Sequence, residues 1–118
     1  MLGWAIIIRR QPLAGEEKGQ LLARWNSSLG GCRWLEDLVF ARQAEGRVGA
    51  GYPNTYRAAA RHVVPLLANG PPPHRSPTIV GDDYVMPPNA TWDVEIDQAA
   101  LAACPQDEIL MIDAWDLS

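Results

Sequence analysis

Residues Thr91 to Asp97 alternate strictly, with Trp92, Val94 and Ile96 at one parity and Asp93, Glu95 and Asp97 at the other. Period two is the repeat of an extended chain, so the segment predicts a half-buried β-strand with its acids on the outer face. Such a strand needs a sheet with one covered side, and other segments supply it. Gly3 to Arg9, with Trp4 and the run Ile6-Ile7-Ile8, is nearly continuous in apolar residues. Glu108 to Trp115, with Ile109-Leu110-Met111-Ile112, is similar, and such runs belong to buried strands. Thr78 to Val80 adds a short strand.

Between these lie segments that predict helices. Glu16 to Asn26 has Glu16 and Glu17 in its first turn, where the helix dipole favours acids, Arg24 in its last, and an apolar stripe of Leu21, Leu22 and Trp25. After Gly30-Gly31, a second helix is expected from Cys32 to Glu45, closed by Gly46 and burying Trp34, Leu35, Leu38 and Val39. A third starts at an Asn54 cap and carries Tyr56, Ala59, Ala60, Val63, Val64 and Leu67 at helical spacing. Pro65 should kink it or restart it as a separate last turn. Asp97 should cap a short helix reaching Ala103.

The expected fold is α+β: three helices packed on one face of a small mixed or antiparallel sheet, in a single domain over residues 1–118. Pro71 to Pro77 is a rigid connector inside that domain, because the roughly 40 residues beyond it are too few to hold a core alone. The expected core is Trp4, Ile6, Ile8, Leu38, Val63, Val94, Ile96 and Ile112.

With 47% hydrophobic and 20% charged residues the composition is that of a folded globular domain and excludes a disordered chain. The apolar run Trp4 to Ile8 is too short to span a membrane, and Arg9-Arg10 follows it where a signal peptide would place its bases first. The expected compartment is therefore bacterial-type cytoplasm, with Cys32 and Cys104 as reduced thiols and no membrane partner.

Charge is distributed unevenly. The first 75 residues hold all ten bases against five acids, and the remaining 43 hold nine acids and no base, so the two parts read +5 and −9. Either the parts face each other within the molecule or the acidic part meets something basic. Five residues form the candidate partner-binding set: Asp82, Asp83, Asp93, Glu95 and Asp97. The plainer account of the acidic strand is a solvated face partly paired with the protein's own arginines, and of Asp82-Asp83 a turn.

No catalytic, cofactor or metal motif stands out. His62 and His74 have no ligands at metal spacing, and Asp82-Asp83 lack the calcium-loop pattern, so no metal and no cofactor are expected. Ser27-Ser28 and Cys32 lack a nucleophile's context. The glycine loop Gly46, Gly49, Gly51 has a helix before it instead of a strand, so a tight turn is preferred to a phosphate cradle. Arg57 and Arg61 are expected one turn apart on the third helix, with Arg42 and Arg47 nearby in sequence. A net charge of −4 disfavours nucleic acid as partner for the whole domain.

The leading expectation is a non-enzymatic acidic protein-binding module. Its specific form is a bacterial inhibitor of the immunity or antitoxin kind, whose acids mask the basic surface of a nuclease-like toxin. One alternative is a small carboxylate-dependent hydrolase, Mg²⁺-assisted, which requires Asp82, Asp83, Asp93 or Asp113 to converge. The other is a self-associating subunit, a homo-oligomer whose copies pair +5 and −9 surfaces.

Overall fold

The computed structural model describes residues 3–46, 53–73, 79–80, 85–86 and 90–117. Six strands form one sheet in the order β3-β4-β8-β1-β2-β7, every neighbouring pair antiparallel: β1 (Trp4–Arg10), β2 (Leu21–Ser27), β3 (Ala44–Gly46), β4 (Asn54–Ala59), β7 (Thr91–Ile96) and β8 (Ile109–Asp116). A separate hairpin pairs β5 (Ile79–Val80) with β6 (Val85–Met86). The helical elements are short: α1 (Arg33–Phe40), α2 (Ala60–Val63) and α3 (Gln98–Ala103), with 3-10 turns at Leu29–Cys32 and Val64–Leu67. The α+β class holds, but the sheet dominates it.

The two apolar runs predicted as buried strands are β1 and β8, and they pair at the centre, Ile6 opposite Ala114 and Ile8 opposite Ile112. Cα partners on neighbouring strands share a face. Ile6, Ile8, Trp25, Tyr56, Ala58, Leu110 and Ile112 therefore line one side, where they join Leu35, Leu38, Val63, Leu67 and Leu101 from the helical layer in one buried cluster. Trp25 and Trp34 meet there with ring centroids 6.0 Å apart, a favourable aromatic separation. Of the expected core, Ile6, Ile8, Leu38, Val63 and Ile112 are buried, and Trp4 and Ile96 pack against the cluster while partly exposed.

Two predicted helices are strands, wholly or in part. Leu21–Ser27 is β2 because Ala23 and Trp25 gain partners on β1, Ile8 and Ile6, and that pairing outweighs local helix preference. Asn54–Ala59 is β4: Asn54, Tyr56 and Ala58 are buried while Thr55 and Arg57 are exposed, so the same apolar residues that fit a helical stripe also fit alternation. Helix begins only at Ala60, and Pro65 lies in the first turn of the following 3-10 segment, a restart as expected.

The second helix stops at Phe40, well before Gly46. Its end is a Schellman motif: Gln43 N donates to Leu38 O (2.8 Å), Arg42 N donates to Val39 O (3.0 Å), and Arg42 takes φ +61°. That left-handed position favours glycine, and here an arginine holds it. Gly46 instead pairs with Tyr56 on β4, and a Cβ at Gly46 would collide with the Tyr56 ring.

Candidate functional site

Among the described residues β7 is an edge strand, joined to the sheet only through β2. Its alternation does not survive intact. Trp92 pairs with Asn26 and Glu95 with Arg24, so three steps on β7 match two on β2, and the extra residue makes a β-bulge at Asp93, φ +52°. The bulge inverts the parity of half the strand. Trp92 and Glu95 now share the open face of the sheet, opposite the helices, and Ile96 faces the core beside Ala23. The expectation that Trp92, Val94 and Ile96 bury together is thus corrected, and Val94 is 44% exposed. The sequence carried one cue: Asp tolerates the left-handed conformation better than most residues.

The acids of this edge have different partners. Glu95 accepts two hydrogen bonds from Arg24, Nε at 3.0 Å and Nη2 at 2.9 Å, on an exposed surface where such a pair adds little stability. Asp97 accepts from Ala100 N at 2.9 Å and caps α3, as expected from the sequence. Asp93 accepts from Asn26 Nδ2 at 3.5 Å and attracts the Arg24 guanidinium at longer range, and it is in no ion pair among the described residues. Asp82 and Asp83 lie outside the described residues, as do His74, Arg47, Gly49 and Gly51.

Beside the strand, Ala5, Ile7, Arg24, Asp93, Val94 and Glu95 are among the residues that line a groove of about 380 Å³. Ala5 and Ile7 give it apolar surface, and its charged residues are Asp93 and the paired Glu95 and Arg24, a net charge of −1. Asp113 sits elsewhere: it is opposite Ile7 on β8 and accepts from Thr55 Oγ1 at 3.0 Å. With β1 and β2 between them, Asp93 and Asp113 lie on strands about 14 Å apart, too far to share an ion. Among the described residues no three His, Cys, Asp or Glu side chains gather as a metal site, and no helix is long and apolar enough to cross a membrane.

The thiols are poor nucleophiles. Burial pushes Cys32 up to about 12 and also raises Cys104, so neither holds much thiolate at neutral pH. Burial likewise lifts the Tyr56 phenol to about 12. Ser28 is buried among backbone partners of the β2 end, where its N–H donates to Ala90 O.

Arg57 and Arg61 are not one helical turn apart. Arg57 belongs to β4 and Arg61 to α2, yet both line a second cleft, at the opposite edge of the sheet from β7. No family model matches this chain, and no curated protein or solved structure does.

Proposed function

We propose that this protein is a non-enzymatic binding module that presents the β7 edge and its groove to a basic protein. In its specific form it is an immunity- or antitoxin-type inhibitor that covers the positive surface of a nuclease-like toxin. The observation that carries the reading is the composition of one exposed edge. Among the described residues Asp93 is in no ion pair, Glu95 and Asp97 stand beside it, and Trp92, on the open face, and Val94 are exposed in part or more. Acids speed encounter with a positive partner, while a partly exposed aromatic and the apolar surface of the groove supply area to bury.

The bulge refines the mode of recognition. A kinked, acidic edge resists the addition of a further strand, so the partner is read by side chains over the groove. The bulge also brings Trp92 onto the same face as Glu95, which makes it part of the proposed surface.

The test is association with a basic protein captured from the native host, followed at two salt concentrations. Asp93→Lys with Glu95→Lys should slow the on-rate at low salt and leave the melting temperature unchanged. On-rates indifferent to both salt and charge reversal would remove the proposal.

A further inference from the structure

The sheet's other edge carries the opposite charge, in an open cleft of similar size. Arg42 comes from the turn after α1, Arg57 from β4 and Arg61 from α2, and the three line one cleft of about 390 Å³ together with His62, Glu45 and Ile109. Three different elements thus bring guanidinium groups to one place in a protein of net charge −4. Among the described residues none of the three is in an ion pair, and all three are exposed. The nearest compensation is Glu45, the cross-strand neighbour of Arg57. Three arginines less one glutamate leave +2 on the lining.

We infer that this cleft binds a phosphomonoester of a small organic molecule. A phosphomonoester carries a charge of about −1.5 to −2 at pH 7, which matches the lining, and its oxygens suit the forked donors of arginine. The volume falls within the roughly 300–1,000 Å³ typical of small-ligand sites and exceeds the need of a bare phosphate. Ile109, 38% exposed, gives the organic part an apolar wall.

Arg42 adds an independent argument. It holds a position where glycine is the favoured residue, so its side chain is kept at a backbone cost, and that side chain lines the cleft.

Calorimetric titration with phenyl phosphate, phenyl sulfate and inorganic phosphate tests the assignment. Phenyl phosphate should bind, with the sulfate monoanion and inorganic phosphate each about tenfold weaker or worse. Arg42→Gly should weaken phenyl phosphate by about tenfold while keeping the melting temperature at or above that of the parent, since glycine suits the turn. Arg33→Gln, on α1 outside the cleft, should change nothing. Equal binding of sulfate and phosphate, or full retention by Arg42→Gly, would overturn the inference. So would salt-sensitive self-association abolished by Arg42→Gly, because the cleft would then belong to the acidic edge of a second copy. A phosphotyrosine peptide that bound far more tightly than phenyl phosphate would do the same by assigning the cleft to a protein ligand.

Discussion

Arg10 grips Glu108 with two nitrogens, Nη2 at 2.6 Å from Oε1 and Nε at 3.0 Å from Oε2, and so ties the end of the first strand to the turn that opens the last. The hydrogen bond from Arg10 holds the Glu108 carboxyl below the usual carboxylate range. Because the folded value is depressed, the contribution to stability is complete above the unfolded value of about 4.3 and disappears as pH falls through the folded one. Denaturant unfolding should show Glu108→Gln less stable than the parent at pH 7, with the gap closing in acid. A gap that persisted undiminished at pH 2 would mean the carboxylate is not what stabilises this corner.

Ile112 and Val94 look alike in the sequence and should behave differently. Ile112 is fully buried at the sheet centre, so Ile112→Ala should cost about 2–5 kcal/mol in equilibrium unfolding. Val94, 44% exposed beyond the bulge, should tolerate alanine within about 0.5 kcal/mol.

Gly46→Ala is expected to destabilise by about 1–3 kcal/mol, because the added methyl has to displace the buried Tyr56 ring. A Gly46→Ala, Tyr56→Leu double variant should recover part of that loss, which a double-mutant cycle would read directly.

Trp92→Ala should weaken association with a basic partner mainly through a faster off-rate, in contrast to the on-rate effect of the Asp93 and Glu95 reversals. Surface plasmon resonance separates the two. An off-rate unchanged by Trp92→Ala would leave the open face out of the contact.

β1 and β8 were legible because their apolar runs are rich in Ile, which favours a strand, although only one side is buried and alternate residues such as Ile7 and Asp113 are half-buried on the open face. The α3 cap at Asp97 was legible for a local reason: side chain and backbone donor lie three residues apart. β2 and β4 were not, since Leu, Ala, Glu and Arg are good helix formers and only pairing with β1 and β8 makes these segments extended. The acidic edge was visible as composition, but one residue in the left-handed region moved Trp92 to the other face. Arg42, Arg57 and Arg61 drew attention as neighbours in sequence, yet what unites them is the crossing of three elements, which no spacing rule encodes.

The place of β8 between β4 and β1 has a consequence for biosynthesis. As the chain leaves the ribosome, the β1–β2 and β3–β4 pairs emerge early, but each lacks the neighbour that joins it to the other. Of the described strands, that neighbour is made last. Until it arrives, Ile6, Ile8 and Tyr56 stay open to solvent, and a ribosome that stalls before Ile109 releases a chain with two unjoined halves and a sticky apolar surface, ready for chaperones or proteases. Among the described strands, the two pairs are joined into one sheet only when β8 takes its place between β4 and β1.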